Sequence, residues 1–208
     1  MKRALPAILV ALVAVLAVIG CATPGMAALR VHPTAVRLTM DDGSCSGTII
    51  GPHAILSATH CFTATRSLSV DDRPVTVTGT VSDGRDHTIV YVTELFRDFA
   101  PVVGAPYQTE EVFIFGNPGG LQDMYRVGHV AGTVDSDSAK LTLYDLNGYF
   151  GDSGSGIFDS DGRLIAVVSE IFYENQNGTS QKYMASFPLH FTATQLEQAR
   201  SQEGQPRA

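Results

Sequence analysis

The punctuation of this chain constrains its fold more than any single motif does. From Val31 to Phe191, short runs rich in Val, Ile, Thr and aromatic residues are cut every few residues by turn dipeptides, and sustained helical periodicity is nearly absent. Asp42-Gly43, Gly51-Pro52, Asp83-Gly84 and Asp161-Gly162 each place residues where the chain reverses at little cost. The runs 34–38, 46–50, 54–57, 67–70, 75–81 and 88–92, followed by 111–115, 125–134, 140–144, 156–158, 164–169 and 183–188, predict about twelve short strands and an all-β chain of sandwiches or barrels. The slack stretch 98–108, with Pro101, Gly104 and Pro106, divides the strands into two equal sets. After the last strand, 192–200 reads as a helix with Thr194 as N-cap and Glu197 completing a capping box, and 201–208 reads as a frayed tail.

The N-terminus carries an export signal. Lys2 and Arg3 precede an uncharged apolar run from Ala4 to Gly20, the pattern of a signal peptide over 1–21. The run is short of the roughly 20 apolar residues a membrane span needs, and no later segment competes with it. Two processing sites remain open. Val18-Ile19-Gly20-Cys21 resembles a bacterial lipobox, which would lipidate Cys21 and tether the protein to a membrane, whereas Gly25-Met26-Ala27 suits ordinary signal peptidase. The protein is thus expected outside the cytoplasm, periplasmic or extracellular.

Charge narrows the partners. The chain has 14 Lys plus Arg against 21 Asp plus Glu, a formal net charge of −7, and loss of Lys2 and Arg3 with the leader makes it more acidic still. Nucleic acid is therefore not an expected partner. The three cysteines divide into Cys21 at the signal boundary and Cys45 with Cys61 in one short segment. A bridge between the latter two would close a loop of about 17 residues, worth roughly 3 kcal/mol, and needs an oxidising compartment. The competing reading is two unrelated buried thiols.

Two segments carry chemistry. In Gly151-Asp152-Ser153-Gly154-Ser155-Gly156, glycines on both sides leave Ser153 exposed on a tight turn. Such a turn can aim the backbone N–H groups of Gly151 and Ser153 at one spot where an oxyanion could sit. In the segment from Cys45 to Cys61, His60 ends an apolar strand and directly precedes a cysteine that could pin it, as a general base requires. His32, His53, His87, His129 and His190 lack such support, and no His or Cys spacing suits zinc, so neither metal nor cofactor is expected.

Together these segments resemble the chymotrypsin-like (trypsin-like) serine peptidases in their compact bacterial form, over about residues 33–190. Ser46-Gly-Thr-Ile-Ile through Leu56-Ser-Ala-Thr-His-Cys61 is similar to the family's strand and T-A-A-H-C box, with Ser57 and Thr59 as mild substitutions. Gly151-Asp-Ser-Gly154 matches the nucleophile box. The resemblance implies two antiparallel six-stranded β-barrels, 33–104 and 105–190, after a mature N-terminal segment 22–32 and before a helix and tail in 191–208. It puts the active site in the cleft between the barrels. It also implies a serine endopeptidase, monomeric, acting on polypeptides without a cofactor. Chain order requires an aspartate between His60 and Ser153. Asp86 is the choice, because Asp86-His-Thr-Ile-Val-Tyr-Val resembles the family's aspartate followed directly by a strand, and Phe113 to Gly120 resembles the later G-x-P turn. Asp83 is the fallback, and His87-Thr88 departs from the usual apolar and small pair.

Carried over, Ser153 attacks the carbonyl, His60 relays its proton, Asp86 holds the imidazole, and the N–H groups of Gly151 and Ser153 bind the oxyanion. The pocket floor falls on uncharged Asn147 and its walls on Ser169, Glu170 and Ile171, which predicts modest selectivity for uncharged side chains. Asp152 lacks an obvious partner: no Ile-Val-Gly-Gly start precedes Cys45, and an internal arginine would remove the need for propeptide cleavage. The same motifs also fit an inactive barrel used as a surface binding module, or a hydrolase of esters and small amides.

Overall fold

The computed structural model of the chain describes residues 24–62, 67–103, 106–136, 139–176 and 178–201. The expected signal segment, Cys21 and the tail beyond 201 lie outside these residues. Helix α1 (Pro24–Val31) leads into two antiparallel sheets. The first contains β1 (Ala35–Met40), β2 (Gly43–Gly51), β3 (Ala54–Ala58), β4 (Leu68–Val70), β5 (Arg73–Val75), β6 (Val77–Ser82) and β7 (His87–Val92), in the order β5-β4-β1-β2-β3-β7-β6. The second contains β8 (Glu111–Gly116), β9 (Met124–Asp135), β10 (Lys140–Tyr144), β11 (Gly156–Asp159), β12 (Leu164–Val167), β13 (Glu170–Gln176) and β14 (Thr179–Ser186), in the order β12-β11-β8-β9-β10-β14-β13. Helix α2 (Ala193–Arg200) closes the described chain.

Each sheet curls into a half-barrel of seven strands where six were expected. The extra strands are both edge strands. The run 75–81 is two strands, because the Thr76 amide turns out to Glu94 and separates β5 from β6, which then lie on opposite edges. β5 carries Pro74, a residue that an edge tolerates and a central strand does not. β13 is rich in polar residues because only β14 pairs with it.

Among the described residues, three apolar clusters hold the fold together. One fills the first half-barrel around Leu38, Ile55 and Val90, and one fills the second around Ile114, Tyr144 and Ile157. The third joins both halves and the two helices: Ala27 and Val31 from α1, Leu56 and Tyr91 from the first sheet, Phe113 and Phe158 from the second, and Ala199 from α2. Phe113 stacks on Phe158 with ring centroids 5.5 Å apart. Helix α2 fits closely against β2, since a Cβ at Gly51 would fall 1.7 Å from the Ala199 carbonyl oxygen. Its N-cap is Thr192 rather than Thr194. The Thr192 hydroxyl accepts from the Gln195 amide and the Gln195 side chain accepts from the Thr192 amide, the same box started two residues earlier.

Candidate active site

His60 is placed by a wholly buried strand of the first sheet. All five residues of β3 are buried, so the strand is held from both faces, and the chain leaves it in a 3₁₀ turn over Thr59–Phe62. Two links tie this turn to the segment that begins β7. The Thr59 amide donates to the Asp86 carbonyl at 2.9 Å, and the Thr59 and Thr88 hydroxyls are 2.7 Å apart. A disulfide between Cys45 on β2 and Cys61 ties the turn to the neighbouring strand.

Asp86 meets His60 twice. Its Oδ1 accepts the His60 backbone amide at 3.0 Å, and its Oδ2 lies 2.8 Å from His60 Nδ1. The Asp86 side chain is 19% exposed and that of His60 46%, so the carboxylate is covered while the imidazole faces outward. The hydrogen bond to Asp86 holds the His60 pKa above its ordinary value; partial burial opposes this, and the charges of Asp86 and Glu170 add to it. Asp83, the fallback, is engaged elsewhere. Its Oδ2 lies 2.7 Å from His87 Nδ1 and accepts the His190 amide at 3.0 Å, and both the Asp83 and His87 side chains are buried.

Ser153 stands on a turn that only glycine can frame. Gly151 and Gly154 have φ of 100° and 84°. A Cβ at Gly151 would fall 2.4 Å from the Asn117 carbonyl, and one at Gly154 would fall 2.1 Å from Ser57 Oγ. The Ser153 carbonyl accepts the Ser46 amide at 2.8 Å and lies 4.0 Å from Cys61 Sγ, so the serine turn abuts the histidine turn. Between the flanking glycines, Asp152 is fully buried and gripped by Arg126: Nη1 donates to Oδ2 at 2.8 Å and Nη2 to Oδ1. The Tyr149 amide also donates to Oδ2, at 2.9 Å.

Asn147, Ser169, Glu170 and Ile171 fall on two segments beside this turn. The Gly154 amide donates to the Val168 carbonyl, and the Met184 amide to the Leu146 carbonyl. Asn147 is exposed and its carbonyl accepts from Arg126 Nη1 at 2.8 Å. Ser169 is buried, with Oγ 3.3 Å from His87 Nε2, while Glu170 is exposed. Ile171 lies over Gly148: a Cβ there would fall 2.9 Å from Ile171 Cγ1 and 3.3 Å from Met184 Cγ.

Sequence reasoning assigned no role to Ser46, Arg126 or His87. Arg126 was within reach, because it is the only arginine between 105 and 152. The His87 contacts had no such signal, since Asp83 and His87 flank an ordinary-looking turn.

Among solved structures, an inactive serine-to-alanine mutant of Rv3671c from M. tuberculosis H37Rv is similar at TM-score 0.65 and 17% identity, over 88% of this chain and 93% of that one. The HtrA-type protease AlgW, with a serine-to-alanine change and a bound tripeptide, is similar at TM-score 0.68 and 19% identity, over 85% of this chain and 62% of that one. The serine endoprotease from Yersinia pestis is similar at TM-score 0.62 and 18% identity, over 81% and 63%. The chain thus spans less than two thirds of the latter two, and at these identities the likeness is one of fold. No curated protein sequence matches. The family model described as the trypsin-like peptidase domain matches residues 45–167, from the disulfide strand through the serine turn to β12, and the chain belongs to that family.

Proposed function

We propose that the chain is an exported serine endopeptidase that hydrolyses peptide bonds through His60, Asp86 and Ser153. The observation that carries this reading is the double contact of Asp86 with the amide and Nδ1 of His60, which positions the imidazole and favours the tautomer with its proton on Nδ1. With Nδ1–H committed to Asp86, Nε2 carries the lone pair that a general base needs. Ser153 Oγ attacks the scissile carbonyl as His60 takes its proton, and the acyl-enzyme forms when His60 returns that proton to the leaving amine. Water, deprotonated by the same imidazole, then releases the acid. The N–H groups of Gly151 and Ser153 receive the oxyanion in each step.

Cys45–Cys61 suits an oxidising compartment, in keeping with export. No helix among the described residues is long and apolar enough to cross a membrane, and membrane attachment through Cys21 is part of the proposal. The test is reaction of purified protein with a fluorophosphonate, with the labelled residue read by mass spectrometry. Labelling confined to Ser153 and absent in Ser153→Ala is expected. A folded wild type that takes no label would sink the reading.

A further inference from the structure

The turn around Ser153 is fixed by its carbonyls. The Phe150 oxygen accepts the Gly119 amide at 2.7 Å, the Asp152 oxygen accepts the Ser155 amide at 2.9 Å, and the Ser153 oxygen accepts the Ser46 amide at 2.8 Å. The Gly151 oxygen accepts the Ser46 hydroxyl, also at 2.8 Å. All four successive carbonyls are therefore anchored. Because a trans peptide points its N–H opposite its C=O, anchoring the Phe150 and Asp152 oxygens sets the direction of the Gly151 and Ser153 amides. Among the described residues, neither amide donates to a protein acceptor.

Ser46 supplies the other two anchors, on the Gly151 and Ser153 oxygens, from β2 of the other half-barrel; these pin the peptide planes that alternate with the two carrying the Gly151 and Ser153 amides, so that neither of the latter can turn without breaking a Ser46 bond. Ser46 is fully buried. Its hydroxyl is aimed by the Asn117 amide at 3.1 Å and by Asn117 Nδ2 at 2.9 Å, leaving its one proton for Gly151. That arrangement uses one donor and two acceptor sites, the full capacity of a hydroxyl. Its own carbonyl accepts Ser57 Oγ at 2.7 Å, which ties this part of β2 to β3, the strand that leads to His60. Asn117 in turn presents the carbonyl against which Gly151 packs.

We propose that Ser46 is a positioning residue for the oxyanion hole: its amide and hydroxyl, aimed by Asn117, hold the turn 150–153 so that the Gly151 and Ser153 amides converge. This rests on the peptidase reading above. A hydroxyl that only satisfied buried neighbours would affect stability alone, whereas a positioning hydroxyl affects the tetrahedral state selectively.

The experiment compares wild type with Ser46→Ala and Ser46→Thr, first by fluorophosphonate labelling of wild type and then by steady-state kinetics on a peptide substrate. It also measures inhibition by a peptide aldehyde, whose hemiacetal oxygen occupies the hole. If wild type takes no label, the peptidase reading falls before this one is reached. Given labelling, Ser46→Ala is expected to lower kcat about 10- to 100-fold with KM within about twofold, to weaken the aldehyde in proportion to kcat/KM, and to be restored in large part by Ser46→Thr. A folded Ser46→Ala with wild-type kcat and aldehyde affinity overturns the proposal, as does a loss confined to KM. Should Ser46→Ala fail to fold, Asn117→Ala, which removes the side-chain donor that aims the hydroxyl, is expected to show the same pattern at about 3- to 10-fold, and its absence is equally decisive.

Discussion

Arg126 holds both carboxylate oxygens of Asp152, with the aspartate wholly enclosed and the arginine partly buried. A bidentate guanidinium fork satisfies a buried carboxylate better than a single ammonium does. The turn before Ser153 thus has an internal counter-ion, and on the proposed reading it needs no newly exposed N-terminus. Trimming the N-terminus is therefore expected to leave kcat/KM per labelled serine unchanged. Arg126→Met, which strands the carboxylate, should cost about 3–5 kcal/mol in denaturant unfolding and abolish activity, while Arg126→Lys should retain part of both.

The His60 contacts set a pH profile. Its pKa is raised, chiefly by the hydrogen bond to Asp86, with Glu170 contributing through its charge. In the proposed mechanism the neutral imidazole is the active form, so kcat/KM should rise along an acid limb centred above the ordinary value of 6.5. Glu170→Gln should move that limb to lower pH, and Asp86→Asn should lower kcat by something of the order of 10⁴. For stability the sign is opposite: a raised histidine pKa favours the folded state in acid, and that contribution fades as pH rises through the folded value. An acid limb unmoved by Glu170→Gln would contradict this electrostatic link.

Ile171 and Met184 crowd Gly148 beside the expected pocket floor at Asn147. A substrate side chain entering beside Gly148 would meet Ile171 and Met184, and the neutral Asn147 offers no charge to draw a basic one. A peptide library should show cleavage after small aliphatic residues, and Ile171→Gly should raise kcat/KM for substrates with Phe or Leu at that position about tenfold or more. Cleavage confined to Arg and Lys sites would refute this account of the pocket.

Asp83 supplies an acid-sensitive lock. Burial pushes its carboxyl pKa up, but the bond and charge of His87, with the amides of Arg85 and His190, outweigh this and hold it below the ordinary value of 3.8. A carboxylate with a depressed folded pKa stabilises the protein above its unfolded pKa, and that contribution is lost as pH falls through the folded one. Unfolding measured at neutral pH should thus show Asp83→Asn less stable than wild type, with the gap narrowing below about pH 4. A gap constant with pH would mean that the charge plays no part.

Much of the candidate site could be read from the sequence because its motifs are local. Ser153 between glycines and His60 before Cys61 are fixed by neighbours within a few residues, and Asp86 by the strand it opens. The seventh strand of each sheet was not legible, because Arg73-Pro74-Val75 and Glu170–Gln176 lie on edges and need no continuous apolar stripe. The Ser46 and His87 contacts were hidden for another reason. The links of Ser46 to Asn117, Gly151 and Ser153, and of His87 to Ser169, join residues 71 to 107 positions apart, across two half-barrels that sequence periodicity treats independently.

Helix α1 also bears on how the chain is matured. Ala27 is fully buried, and Val31 reaches the turn at Gly162, where a Cβ would fall 2.9 Å from its Cγ2. A cut after Gly25-Met26-Ala27 would sever this docked helix midway, whereas a cut before Cys21 leaves it whole. Mass spectrometry of the exported protein should find a start upstream of Pro24; a start at Ala28 with undiminished thermal stability would show the first turn of the helix to be dispensable. With Cys21 acylated, only two residues separate the lipid from α1, a span of at most about 11 Å. Such an enzyme would have almost no leash, working as a blade fixed to the bilayer and cutting only what comes to that surface.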